Sequence, residues 1–497
     1  MTVILESGVD FTLDALRRVA WDGEPVELGG QALERIGAAH DGLLRLVERE
    51  PDLHVYGLTT GFGDGARRVL GVEERARLAV APPQVLAAGV GERLPDRVVR
   101  AMIFTRLVNF VSGFSAVSVD TARQVADLLD GRPLPVVRCQ GQDSPGELLQ
   151  LLNLFRGLDR DRFQPGDHNA ITNGAGCAPG LIGDVALRAR RRVVILTQVL
   201  ALSVDAGAMS LDPYDPALRM MMGDAEEGAA IDALSTLLVG IDTRGRRDYQ
   251  NPISWRILTR MVGQVLRAVA GAERAARTAL SRVSDNPVFL NATLAPPHGR
   301  VISTGGFHSP DAYHAMNALS AIWAEIAVLA AIETKKLHLA DVTGLAPGSM
   351  SELQGGGTRL LTISAYDIAS RAREHAVPAL TPLYEAGDVQ TDVVMPLFLA
   401  FEKETAAARC LDRCLAILAA TASQALSVAG RDPAPALRPF LADVRTRFAP
   451  ISRDLPRDVG AEAQQLADDL HAAILGQVDA FGMNRASMRA DPDSSGS

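Results

Sequence analysis

The sequence predicts a mostly α-helical protein built around long bundle helices. Three observations carry this. Apolar residues recur at helical spacing, as at Leu411, Cys414, Leu415 and Leu418, which fall at i, i+3, i+4 and i+7. Ala, Leu, Arg and Glu are abundant, and all favour helices. Strand-like runs are few and short. At 497 residues the chain suits two to four packed units. Its 47% hydrophobic and 22% charged residues are a globular composition, not a disordered one.

Taken in order, residues 1–200 read as a loop-rich N-terminal domain, interrupted by glycine and proline at 56–65, 133–146 and 173–180. Residues 201–430 read as a central long-helix bundle. Within it, 316–339 is helical with Ala-rich spacing, and 288–290 and 300–303 are the clearest strands. Further interruptions fall at 285–287, 304–309 and 344–357. Residues 431–490 read as a C-terminal helical segment, and the Pro/Ser/Gly-rich stretch 491–497 as a disordered tail. The opening MTVILESGVDF is acidic where a signal peptide is basic. The longest apolar runs, such as 193–202, carry Thr and Gln and are too short to span a bilayer.

Lys plus Arg number 50 and Asp plus Glu 59, so the net charge is 50 − 59 = −9. An acidic chain without a basic block argues against nucleic acid and against an anionic membrane as partners. The four cysteines, Cys139, Cys177, Cys410 and Cys414, form no CxxC pair and have no His at zinc spacing. Cys410 and Cys414, one helical turn apart, are expected to pack in a buried face. The cytoplasm is the expected compartment. His168 and His308 lack a second ligand at metal spacing, so no metal is expected.

Chemistry is expected in the loops of a rigid helical scaffold. Tyr56-Gly57-Leu58-Thr59-Thr60-Gly61-Phe62-Gly63 holds three glycines in eight residues. Such a loop can present a phenol as a general base on a lid, or simply turn at the surface around a packed tyrosine.

The strings ILESGVDFTLDALRRVA, HVYGLTTGFGDG, LAAGVGERL, ITNGAG, QNPISWR, VSDNPV, STGGFH and DVQTDVV follow one another over residues 4 to about 430. In that order and spacing they resemble the aromatic amino acid ammonia-lyase superfamily, which holds the histidine and phenylalanine ammonia-lyases and related aminomutases. The resemblance implies an elongated α-helical homotetramer with active sites built from three subunits. It also implies an electrophile, a methylidene-imidazolone made by cyclising and dehydrating an Ala-Ser-Gly tripeptide within GSVGASGDL.

Here the matching stretch is Gln140-Gly141-Gln142-Asp143-Ser144-Pro145-Gly146-Glu147-Leu148, so Ser144-Pro145-Gly146 replaces Ala-Ser-Gly. The middle residue must lose a β-hydroxyl, and proline has none. In the register shifted by one, the attacking amide nitrogen would be that of Pro145, which bears no hydrogen. Neither register forms the ring, and no other Ala-Ser-Gly exists in the chain. The expected cofactor is therefore none. Asp143 and Ser144 occupy the electrophile's place, where a carboxylate could act as acid or base. The alternative is a helix beginning near Gly146, with Ser144 as its cap and Asp143 favouring its N-terminus. Cys139 nearby is a nucleophile candidate or a packing thiol.

Residue by residue, the resemblance assigns Tyr56 to the lid tyrosine that removes the β-proton. Asn173 falls on the asparagine of NGT, and Arg256 on the arginine of QDPYSLR that grips the substrate carboxylate. Arg suits that task through its planar, bidentate donors. Gln390 falls on the glutamine of QEDHVSM, and Phe307 and His308 fit GNFH. Each could also be structural: Arg256 pairing with a helix carboxylate, Asn173 capping a helix, Tyr56 packing. Departures are concentrated elsewhere. Ile253 replaces the tyrosine and Asn251 the aspartate of QDPYSLR, and Gly306 replaces the asparagine of GNFH. Thr391, Val393, Met395 and Pro396 replace most of QEDHVSM. Tyr249 lies four residues before Ile253 but is not expected to stand in for the missing tyrosine.

Three readings follow. One is an enzyme that keeps the base and the anion grip without the electrophile. Its substrate would be a small-molecule or carrier-tethered carboxylate or carbonyl compound, and its reaction elimination, isomerisation, conjugate addition or cyclisation. Arg- and Ala-rich usage fits a high-GC bacterium and a place in secondary metabolism. The second is an inactive relative that binds a ligand or joins an active partner in a mixed tetramer. The third is an orthodox ammonia-lyase.

Overall fold

The computed structural model describes residues 1–80, 88–141, 144, 146–346, 350, 354–382, 392–451 and 457–483. The 491–497 tail, Asp143 and Gln390 lie outside them. The expected mostly helical fold is borne out. Its longest helices are Cys177–Ala206, Leu258–Ser281, Pro310–Lys336 and Leu397–Ala429. Three small sheets of two strands each are present among the described residues. Val3–Leu5 runs parallel to Val26–Leu28, and Val90–Arg93 antiparallel to Arg138–Gln140. Val288–Leu290 runs antiparallel to Arg300–Ile302, as the strand-like runs predicted.

The chain forms two compact units, each assembled from three stretches. The first holds Met1–Leu187, Ala272–Met316 and Ala379–Glu402; the second holds Arg188–Gly271, Asn317–Pro378 and Lys403–Ser497. This partition cuts across the sequential division at residues 200 and 430.

In the first unit the helix Asp96–Val111 is buried on nearly all sides, from Val98 to Val111 except Arg100. That is why it shows no polar stripe. The amphipathic helix Leu13–Ala20, capped by Thr12 through the N–H of Ala15 (3.0 Å), packs against it. One interruption read from sequence ends early. The loop after Asn173 stops at Gly176, and Gly180 sits inside the helix Cys177–Ala206. A Cβ on Gly180 would lie 2.8 Å from the Ala101 carbonyl carbon, so glycine there permits close helix packing, not a turn.

In the second unit Leu411, Cys414, Leu415 and Leu418 are all fully buried, and Cys410 nearly so, as their spacing predicted. The core also holds charges in pairs. Arg192 donates to Asp412 (2.7 Å), whose other oxygen meets His471 Nδ1 (3.0 Å). Burial alone would raise the Asp412 pKa, but Arg192 and His471 outweigh it and hold the carboxyl well below the usual range. Glu404 takes hydrogen bonds from Arg188 (2.9 Å) and from the Trp323 indole (3.0 Å).

One expectation needs correcting. Pro310–Lys336 and Leu397–Ala429 are long and apolar enough, by length and composition, to cross a membrane. Within them 61% and 83% of the most apolar window is buried in the protein, as core helices require.

Candidate functional site

Tyr56 is fixed by its own loop. Gly57 adopts a left-handed φ of +70°, and a Cβ there would sit 2.4 Å from the Phe62 ring. The turn brings Phe62 edge-on to Tyr56 and to His168, each at 5.4 Å between centroids. The Gly63 N–H donates to the Tyr56 hydroxyl oxygen at 3.0 Å. That N–H points at the oxygen on which a phenolate would carry its charge.

Tyr56, Asn173 and Phe307 line one cavity of about 340 Å³ in the first unit, with His54, Asn286 and Ser303. Three of the sequence-predicted residues therefore meet. Asn173 ends the short helix Asp167–Thr172. Its side-chain oxygen accepts from the Gly174 N–H (2.9 Å), and its amide donates to Asn169 (3.3 Å). Asn286 was not singled out from sequence, although it lies within VSDNPV. Its side-chain oxygen accepts from Ser303 (3.1 Å) and from the Thr304 N–H (2.8 Å).

A buried polar network holds the two asparagine loops. Arg106, fully buried, donates to Asp285 at 2.7 Å and to the Ala170 carbonyl. Asn109 donates to Asp285 (3.0 Å) and to Ser284 (2.8 Å), and Ser115 donates to the other Asp285 oxygen. Ser284 in turn accepts from the Ala175 N–H (3.0 Å). Burial raises the Asp285 pKa despite Arg106 beside it. Gly174 (φ +92°) lies so close that a Cβ would be 2.3 Å from Asp285 Oδ1.

The segment in the electrophile's place touches this cavity through Phe307. Gly146 takes a left-handed φ of +74°, and a Cβ on it would be 3.3 Å from the Phe307 Cβ. Ser144 does not cap a helix, contrary to the sequence reading. Its hydroxyl donates to the Gly146 carbonyl (3.2 Å), and its own carbonyl accepts from the Met395 N–H (3.3 Å). The helix starts two residues later than expected, at Leu148, with Glu147 at the cap position.

Glu147 was missed. Its carboxylate reaches the first N–H groups of a different helix, Cys177–Ala206, which lack intrahelical partners, accepting from Cys177 and from Ala178 (2.7 Å). It is fully buried, and desolvation outweighs those bonds to push its pKa up to about 7. Between about pH 4.5 and 7 the folded chain thus holds a proton that the unfolded chain releases, so stability falls as pH rises. Glu147→Gln is expected to flatten a decline of about 3 kcal/mol across that window. Urea unfolding midpoints at pH 5, 6, 7 and 8 check this; parallel curves for the two proteins refute it.

Arg256 lies in the second unit, on the short helix Ile253–Arg256, and lines another cavity of about 360 Å³. It is not among the described residues that line the Tyr56 cavity. Among the described residues it does not pair with a helix carboxylate; its Nη1 donates to Gln250 (3.0 Å). Asn251 departs from the family aspartate for a visible reason. Its side chain accepts from the Ser210 N–H (2.7 Å) and donates to the Ser210 carbonyl (2.8 Å). A carboxylate cannot do both. Gly306 likewise leaves little room, since a Cβ would stand 3.2 Å from Ser284 backbone atoms.

Cys139 is partly buried, and burial followed by the Glu402 side chain pushes its thiol up, away from a nucleophilic thiolate. His168 is held down to about 4 by burial and, secondarily, by Arg160. Burial also lowers His308. No cluster of three or more His, Cys, Asp or Glu among the described residues could hold a metal.

The sequence model of the family described as aromatic amino acid lyase matches residues 11–158 and 154–446. The chain belongs to the aromatic amino acid lyase family. The family resemblance read from its motifs is therefore borne out. A histidine ammonia-lyase of Symbiobacterium thermophilum is 28% identical, covering 94% of this chain and 96% of that enzyme. Among solved structures of the fold, ergothionase of Treponema denticola, an ergothioneine-degrading enzyme, superposes with a TM-score of 0.86 at 17% identity. It covers 96% of this chain and all of that one. A tyrosine aminomutase of Streptomyces globisporus superposes with a TM-score of 0.80 at 20% identity, over 93% of this chain and 95% of the other. The two structural likenesses bear on the fold alone.

Proposed function

We propose that this aromatic amino acid lyase relative is a lyase-type enzyme that works without the methylidene-imidazolone. The reading rests on one contrast. Pro145 offers neither the β-hydroxyl nor the amide hydrogen that ring formation consumes. Tyr56 nevertheless keeps its loop, its Gly63 N–H partner and its cavity.

Tyr56 is the base. The Gly63 N–H orients the phenol oxygen toward the cavity and steadies it while it holds charge. Tyr56 removes a proton from carbon beside a carbonyl-type group, and Arg256 binds the substrate's carboxylate or equivalent anion. Because the two residues line different cavities of one chain, we assign their meeting to a homotetramer, with Arg256 of one chain serving Tyr56 of another. His54 and the two asparagines orient the neutral part of the substrate. Without an electrophile to activate a poor leaving group, the substrate must carry an acidified C–H or a group that departs unaided. Elimination, isomerisation, cyclisation and conjugate addition all meet that condition.

Two measurements test this. Trypsin releases peptide 139–156 between Arg138 and Arg156. Its mass is expected to equal the unmodified sequence; a peptide two waters lighter overturns the proposal. The purified protein is then given a matched pair, an aromatic α-amino acid and its α-trimethylammonio analogue. A quaternary nitrogen leaves as a neutral amine and needs no activation. Turnover is expected for the analogue alone, and Tyr56→Phe is expected to reduce it roughly 100-fold or more. Ammonia release from the amino acid would return the protein to the orthodox ammonia-lyases.

A further inference from the structure

We propose that Tyr249 is a substrate-contacting residue, giving its phenol hydroxyl to the anionic group that Arg256 binds. This rests on the reading of Arg256 as the anion grip, and it adds a residue that neither the family motif nor its spacing assigns.

Tyr249, Gln250 and Arg256 line the same cavity of about 360 Å³. Ile253, in the motif position where a tyrosine is otherwise found, does not line it and is 69% exposed. The phenol has moved to another place on the same segment. Two features hold it there. Asn251, buried, is pinned by its two hydrogen bonds to the Ser210 backbone. Gln250 sits at φ +51°, a left-handed conformation that residues with a side chain rarely adopt. Strain of this kind persists where the surroundings enforce it, and here it places the Gln250 side chain on Arg256.

The hydrogen-bond inventory explains why a phenol is useful. Gln250 occupies Nη1 of Arg256, and among the described residues no acceptor binds its Nε or Nη2. A carboxylate held on that edge accepts two hydrogen bonds and keeps lone pairs to spare. Asp212 also lines the cavity, so the lining carries one positive and one negative side chain. Net charge then contributes little to anion binding, and directional donors decide it. Tyr249, 73% exposed, lines the same cavity and its hydroxyl has no partner among the described residues.

The test uses the purified full-length protein and sodium trans-cinnamate as the carboxylate probe, followed by isothermal titration. Wild type, Tyr249→Phe and Arg256→Gln are compared, with circular dichroism to confirm folding. Arg256→Gln is expected to abolish binding. Tyr249→Phe, which removes one oxygen at an exposed site, is expected to weaken it about 10-fold, as for loss of a hydrogen bond to a charged group. Cinnamate binding that depends on Arg256 but is unchanged in Tyr249→Phe overturns the role of Tyr249 alone. Absence of Arg256-dependent binding overturns both that role and the anion-grip reading beneath it.

Discussion

Replacing Asp285 with alanine is expected to destabilise the protein by roughly 3–5 kcal/mol, the range for breaking a buried ion pair. The carboxylate accepts from Arg106, Asn109 and Ser115, and Arg106 is fully buried. Removing Asp285 leaves a guanidinium without its counter-charge in a place water does not reach. Its Nε already has no partner among the described residues, so little remains to compensate. Urea denaturation of Asp285→Ala measures the loss. The double variant Asp285→Ala with Arg106→Met is expected to lose less than the single one, because no orphan charge is left. A double variant that loses as much as the two singles summed would show that the pair is not coupled. The same change should also loosen the loops that carry Asn173 and Asn286, since Ser284 and Gly174 pack directly on this network.

The second large effect concerns pH. Glu333, fully buried in the second unit, accepts from Ser203 at 2.6 Å, and Ser203 accepts from the Trp255 indole at 3.1 Å. Its other oxygen has no partner among the described residues. Desolvation pushes its pKa up to about 8 against the single opposing bond from Ser203. Between about pH 4.5 and 8 the folded state keeps the proton and the unfolded state loses it, so stability declines as pH rises. The decline attributable to Glu333 is about 5 kcal/mol. Glu333→Gln cannot ionise. It is expected to lie within about 2 kcal/mol of wild type at pH 5, the cost of fitting a buried amide, and to be the more stable protein at pH 9. Unfolding midpoints from pH 5 to 9 decide this. Two curves that never converge or cross would mean that Glu333 does not hold its proton in the fold.

The helices were legible because their signal is local. The spacing of Leu411, Cys414, Leu415 and Leu418 has one reading, and the structure buries all four. The strands Val288–Leu290 and Arg300–Ile302 were legible for the same reason. The Tyr56 cavity was partly legible, because Tyr56, Asn173 and Phe307 fall in ordered motifs. What lay hidden depends on contacts distant in sequence. Glu147 caps a helix that begins thirty residues on, and Arg106 meets Asp285 across a separation of 179. No pattern around Glu147 distinguishes it from the cap of its own helix. Ser144 was misjudged for a related reason. Ser-Pro-Gly before an apolar run has the composition of a helix start, but tertiary bonds to Met395 and within the turn claimed its polar atoms. Gly180 reads as punctuation in the sequence because a glycine's packing partner, here Ala101, leaves no trace near it in the chain.

The anchoring of the Ser-Pro-Gly segment bears on how such a protein can arise. The Met395 N–H fastens it at Ser144, and Glu147 fastens it to the start of the helix Cys177–Ala206. Neither anchor uses the side chain of the middle residue. On the function proposed above, a change at residue 145 alters the chemistry while both anchors remain in place. In this fold, inheritance of shape and inheritance of chemistry are carried by different atoms.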